Sequence, residues 1–160
     1  MAPRPAPGYS RRRTSPALAA RPAGHVLIVE DEPHMARFLR SALTHAAFDS
    51  TVVPTGEAAL LRLAQQPFDL ILLDIRLPGI SGLEVCRRLK ADPRLRHVPI
   101  IFVTTYHDHQ MRAQAFALGA AEYLTKPFQV QHLLGCVMRH VTLAAARASG
   151  LPPASVLLPP

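Results

Sequence analysis

The chain has 160 residues, 49% hydrophobic and 18% charged, a globular composition long enough to bury one core without disulfides or structural metal. Its formal charge of +7 points to nucleic acid only until the charges are located: Arg4, Arg11, Arg12, Arg13, Arg21 and Arg147 lie near the two ends, leaving 12 basic against 11 acidic residues between them. The middle of the chain is nearly neutral, so the basic character belongs to an arm and not to a folded nucleic-acid surface.

Residues 1–24 hold five of those arginines, five of the 16 prolines and no acid, and read as a disordered extension rich in Pro, Ala and Arg. Such an arm leaves nucleic acid or anionic lipid only a weak, salt-dependent contact. It is no secretory signal, because the apolar piece after its arginines is only "ALAA", far short of an h-region. No run of about 18 apolar residues marks a membrane span. Cys86 and Cys136 stand alone, without CxxC or metal-ligand spacing, as buried reduced thiols do. A soluble cytoplasmic protein is the expectation.

From residue 25 to residue 143 short apolar runs alternate with helical patterns, without an internal repeat. "HVLIV" (25–29), "STVV" (50–53), "DLILL" (69–73), "VPIIFV" (98–103) and "AEYL" (121–124) are the strand candidates. "VLIV", "LILL" and "IIFV" do not alternate with polar residues, so these strands should be covered on both faces, as in a parallel sheet. Pro33 opens the first helix, with Met35, Phe38, Leu39, Ala42, Leu43 and Ala46 at helical spacing. Ser81 and Glu84 form a capping box for the third helix. Asp108 caps the fourth, the plainer role for it within "HDH" (107–109), since two histidines and an aspartate on one loop need a further ligand to hold a metal. Val130, Leu133, Leu134, Val137, Met138 and Val141 give the last helix one apolar stripe. The pattern is a five-strand β-α repeat, after which residues 144–160 read as a disordered Pro-rich tail.

In an open parallel sheet, ligands bind outside the carboxyl ends of the strands. The residues there are Glu30, Asp31 and Glu32 after the first strand, Asp74 after the third, Thr104 and Thr105 after the fourth, and Lys126 and Pro127 after the fifth. Carboxylates gathered at one point repel unless a cation relieves them, and an oxygen-lined acidic pocket suits Mg²⁺. A metal site at Glu30, Asp31 and Asp74 follows, with the backbone carbonyl of Arg76 as an extra ligand. A carboxylate beside Mg²⁺ serves as a ligand only, or also as a nucleophile that takes a phosphoryl group as an acyl phosphate. Lys126 as a point charge and the Thr104 hydroxyl as a donor suit the second role.

"VLIVEDEP", "DLILLDIRLPGISGLEV", "VPIIFVTT" and "GAAEYLTKPF" together resemble the motifs of the response regulator receiver domain, the phosphoacceptor of two-component regulatory systems, over residues 25–143. The resemblance implies a flavodoxin-like three-layer α/β sandwich, a doubly wound five-stranded parallel sheet in the order 2-1-3-4-5 with five helices. It makes Asp74 the phosphoacceptor of a phosphorelay, Glu30 and Asp31 the acidic pair for Mg²⁺, Thr104 the switch hydroxyl and Lys126 its cationic partner. Tyr123 matches the aromatic that changes rotamer with Thr104, altering the face of the fourth helix, fifth strand and fifth helix. The Lys126–Pro127 bond is expected cis.

The partners implied are a sensor histidine kinase or phosphotransfer protein and a downstream protein target of unknown identity. Such a domain is not an enzyme beyond its own phosphotransfer and autodephosphorylation. An Asp-nucleophile phosphatase of the haloacid dehalogenase type would carry a second Asp two residues on, where this chain has Arg76. A receiver fold used only for binding would have lost the acidic pair, the acceptor or the lysine, all of which stand. Thr105, bulkier than the Ala or Gly usual there, with Arg76 and Tyr106, suggests slow access of water to the acyl phosphate. With only a linker's length after the last helix, the expectation is a stand-alone receiver.

Overall fold

The computed structural model describes residues 21–150; residues 1–20 and 151–160, and with them most of the basic arm and of the Pro-rich tail, lie outside the described residues. Five strands, β1 (His25–Val29), β2 (Asp49–Val53), β3 (Leu70–Leu73), β4 (Ile100–Thr104) and β5 (Glu122–Thr125), alternate with five helices, α1 (Pro33–His45), α2 (Gly56–Gln65), α3 (Gly82–Ala91), α4 (His109–Ala117) and α5 (Val130–Ala148). The sheet runs β2-β1-β3-β4-β5 with every pair parallel, the order expected from the sequence. Because β1 pairs with both β2 and β3, the strand order reverses at β1 and opens a crevice above β1 and β3.

The unalternating apolar runs have the predicted cause. Leu27, Val29, Ile71, Leu73, Ile100 and Phe102 pack with Ala59 and Leu63 of α2, Val85 and Leu89 of α3 and Ala115 of α4. The intervening Val26, Ile28, Leu70, Leu72, Ile101 and Val103 pack with Leu39 and Leu43 of α1 and Leu133 and Val137 of α5. Each strand thus feeds two cores, and both cysteines are buried and unpaired. Burial pushes the Cys86 thiol up to about 11, which keeps it an inert core group at neutral pH.

Several boundaries move from their sequence positions. Asp69 stays out of β3, its carboxylate accepting the His25 N–H at 2.7 Å. Pro99, without an N–H, keeps Val98 out of β4. The helical stripes shift as well: Ala36 is buried while Phe38 is 43% exposed, and Met138 is 55% exposed in α5. α5 continues through Ala148, so residues 144–148 are helix and not the start of a tail. Of the capping box at α3 only half forms. Ser81 accepts from the Glu84 N–H, whereas the Glu84 carboxylate turns outward to Arg87 and Arg88.

The start of α2 matters for the site because it faces the loop after β3. Thr55 caps it, Oγ1 accepting from the Ala58 N–H at 3.1 Å. Thr55→Ala should cost about 1 kcal/mol, read as a lower urea midpoint at unchanged slope; an unchanged midpoint would show that solvent satisfies that N–H equally well.

Candidate functional site

The carboxyl end of the sheet gathers the residues expected there. Asp74 directly follows β3, and its N–H still donates to Val29 O of β1 at 3.1 Å, so sheet geometry fixes its backbone. Its Oδ1 accepts the Arg76 N–H at 3.0 Å and its Oδ2 accepts from Lys126 Nζ at 3.0 Å. Glu30 follows β1, its N–H held by Val53 O of β2 at 3.1 Å. Its Oε2 takes a second Lys126 bond at 2.6 Å, and Oε1 accepts the Glu32 N–H. Both carboxylates are buried, Glu30 at 3% and Asp74 at 7% exposure. Lys126 reaches them from the end of β5, its own N–H donating to Thr104 O at 2.8 Å, and the Lys126–Pro127 bond is cis.

The charges do not balance. Asp31 is exposed on the same rim, and ligand oxygens of Glu30, Asp31 and Asp74 lie within 4.8 Å of one another. Three of these carboxylates cluster about one ammonium, and with Glu32 and Arg76 also on the wall four acids face two cations, a net charge of two negatives in a partly dehydrated cleft. Burial accordingly pushes the Glu30 carboxyl above its ordinary range, against the opposing hydrogen bonds from Lys126 and the Glu32 backbone. For Lys126, burial works against the ammonium, but Glu30 and Asp74 together outweigh it and hold its pKa above the usual lysine value. A set of three clustered carboxylate oxygens with this residual charge fits a hard divalent cation that keeps several of its waters.

Glu30, Asp31, Asp74, Arg76, Thr105 and Lys126 line one cleft. Thr104 does not. It is fully buried, and its Oγ1 lies 3.4 Å from the Tyr106 N–H as acceptor. Tyr123 is buried with its hydroxyl donating to Tyr106 O at 3.0 Å, while Arg112 lies over its ring at 5.7 Å. Tyr106 therefore links the two expected switch residues through its backbone, and its ring carries the Arg76 guanidinium 5.7 Å from the centroid. Glu32 also lies on the cleft wall, its carboxylate capping α1 by accepting from the His34 and Met35 N–H groups. Asp108 caps α4 as expected, and among the described residues neither His107 nor His109 joins a third metal-ligating group.

Glu57 is a contributor that the sequence reading misses. From the first turn of α2 its Oε1 accepts the Ile80 N–H at 3.0 Å, and its carboxylate lies against Gly79, where an added Cβ would come within 2.4 Å of it. Gly79 also has φ +76, a conformation that suits glycine. Glu57 thus pins the far side of the loop that leaves Asp74. An acid in a first turn ordinarily answers the helix dipole, so the sequence carries no mark of this longer reach.

A family model described as the response regulator receiver domain matches residues 26–138. Response regulator ArlR of Staphylococcus haemolyticus is 38% identical over 109 residues, 68% of this chain and 48% of that protein. The phosphate regulon transcriptional regulatory protein PhoB of Rhizobium meliloti is 37% identical over 112 residues, 70% and 49% of the respective chains. The chain spans about half the length of the curated relatives it matches. Among solved structures, a putative response regulator from Chloroflexus aurantiacus aligns with TM-score 0.72 at 31% identity, over 74% of this chain and 98% of that one. The receiver domain of sensor histidine kinase PA1611 from Pseudomonas aeruginosa, with a magnesium ion coordinated in its active-site cleft, aligns with TM-score 0.69 at 30% identity, over 74% and 98%.

Proposed function

Because the chain belongs to the response regulator receiver domain family and so contains the receiver domain of a two-component response regulator, we propose that Asp74 is its phosphoacceptor. The donor is a sensor histidine kinase or a histidine phosphotransfer protein, and the acceptor cleft works with Mg²⁺ held by Glu30, Asp31, Asp74 and the Arg76 carbonyl. The observation that carries this reading is Asp74 itself: a buried carboxylate fixed at a strand end, one oxygen on Lys126 Nζ at 3.0 Å, beside two further acids. When bound, Mg²⁺ neutralises phosphoryl oxygens and orients them for in-line transfer.

In the transfer, an Asp74 carboxylate oxygen forms the new bond to phosphorus as the bond from phosphorus to the donor imidazole nitrogen breaks, leaving an acyl phosphate on this chain. Lys126 already spans Glu30 and Asp74, so its ammonium is in place to take a phosphoryl oxygen without reorganising. The chain is a signalling acceptor that decays by its own hydrolysis, not a turnover enzyme. A phosphodonor kinase domain acts in the cytoplasm, which is where this acceptor would meet it; no helix among the described residues is long and apolar enough to cross a membrane.

The switch follows from the Thr104–Tyr106–Tyr123 linkage. A Thr104 hydroxyl that turns toward a phosphoryl group on Asp74 gives up its long bond to the Tyr106 N–H, and Tyr106 O is the acceptor that holds Tyr123. Phosphorylation then biases a two-state equilibrium read out on the α4-β5-α5 face by a protein target.

Thr105 and Arg76 line the cleft beside Asp74, Tyr106 carries the Arg76 guanidinium over its ring, and water excluded from an acyl phosphate attacks it slowly. Thr105→Ala and Tyr106→Ala should each speed loss of the phosphoryl group about threefold, followed by decay of the labelled protein after removal of donor. Unchanged decay in both would remove the shielding role.

A further inference from the structure

A second cleft lies at the opposite end of the sheet from Asp74. It measures about 590 Å³ and is lined by Lys90, Arg96, His97, His140 and Arg147, with no carboxylate in its wall. These residues come from separate segments: the last turn of α3, the loop before β4 and the C-terminal half of α5. Four other arginines, Arg87, Arg88, Arg94 and Arg139, are paired with acids. Among the described residues Lys90, Arg96 and Arg147 have no carboxylate partner, and the nearest acid engaged by a lining residue, Glu122, is held by Arg139 and His140.

Lys90, in the last turn of α3, is tied to the loop before β4, Nζ donating to Arg96 O and Val98 O at 2.9 Å each. That leaves its ammonium half-buried with carbonyls as its only acceptors. Arg96 and Arg147 are exposed and make no side-chain hydrogen bond among the described residues, so helix capping does not use them. Three cationic residues from three segments line one cavity, with Leu118 and Leu143 supplying an apolar wall, the composition of a receptor for an anion with an uncharged body attached. The volume is that of a small-molecule pocket, and guanidinium forks match phosphate oxygens bidentately.

We propose that this cleft binds a small polyphosphate-bearing ligand of nucleotide size. The ligand is a free polyphosphate or a nucleoside polyphosphate, two sources of one recognised chemistry. The site is independent of the phosphoacceptor cleft, which without a divalent cation carries net negative charge and repels the same ligand.

The test is calorimetric titration of the full-length chain with sodium tripolyphosphate and, separately, with ATP, in EDTA at about 0.1 M salt to screen diffuse attraction. Arg96→Ala with Arg147→Ala should weaken both probes about tenfold or more, because each change removes a charge-assisted bond. Arg40→Ala with Arg62→Ala removes the same charge from exposed positions on α1 and α2 and should leave affinity nearly unchanged. ATP binding more tightly than tripolyphosphate assigns the apolar wall to a nucleoside, and equal affinity assigns the site to the polyphosphate alone. Absence of binding by both probes, or equal weakening by the two double variants, overturns the proposal, since the attraction would then be bulk charge, including that of the arginine-rich arm.

Discussion

Acetyl phosphate and Mg²⁺ should label the wild-type chain with phosphoryl and leave Asp74→Asn at background. The amide has no carboxylate oxygen to form an acyl phosphate, so the loss is complete and not a matter of degree. The folded state should survive the change. The substituted amide keeps its one oxygen for the Arg76 N–H and gives up the acceptor of Lys126, whose Nζ retains Glu30, while it removes one of three negative charges that face a single Lys126, a relief in a site where Asp74 and Glu30 are buried. An unchanged or raised urea midpoint beside a lost label therefore separates chemistry from folding. Lys126→Ala works the other way, stranding Glu30 and Asp74 in the cleft without their cation, and should both lower stability and slow labelling. Label that persists in Asp74→Asn would move the acceptor to another residue and end the reading, and label indifferent to EDTA would remove the cation from it.

The reason the place of Asp74 at the end of β3 is legible in sequence is that a doubly covered parallel sheet is the most legible of α/β architectures. Strands such as "LILL" have no polar side, so the first polar residue after each marks both a strand end and the sheet's ligand edge. Glu30, Asp74, Thr104 and Lys126 all fall at that boundary. The same logic fails for residues that reach the site from a helix. Glu57 sits in α2 and meets Ile80 across 23 positions, a contact that no local pattern encodes. It also fails where side-chain direction decides the outcome. Thr104 is at the strand end but fully buried, and Thr105 beside it lines the cleft. Phe38 and Met138 satisfy the helical spacing, yet the helices present Ala36 and Cys136 to the sheet, a rotation within the width of an apolar stripe. The cationic cleft is invisible in sequence for a related reason: Lys90, Arg96 and Arg147 are scattered among paired arginines, and only the fold brings them to one end.

Gly82→Ala should be the most destabilising single methyl addition in the domain, while Gly135→Ala, the same substitution in α5, should stabilise it. Gly82 begins α3, with Ser81 as its cap, and its N–H donates to Ile75 O at 2.9 Å. The helix start is thereby pulled onto the backbone that leaves β3. A Cβ at Gly82 would lie 2.1 Å from Asp74 O and 2.8 Å from Ile75 Cα. These are main-chain atoms held by the sheet on one side and by the Asp74 side-chain contacts on the other, so no rotamer change relieves the clash. The cost should be about 3 kcal/mol or more, the upper end of overpacking, and relief by moving the Asp74 backbone would carry its carboxylate away from Lys126. At Gly135 nothing lies within 4 Å of the added methyl, and losing glycine's freedom in a helix interior is worth about 0.5–1 kcal/mol. Opposite shifts in thermal midpoint, with phosphoryl labelling slowed only in Gly82→Ala, are the expected pair of results. A Gly82→Ala protein as stable and as readily labelled as wild type would show that α3 does not abut Asp74, and would remove the tie between the helix start and the position of Asp74.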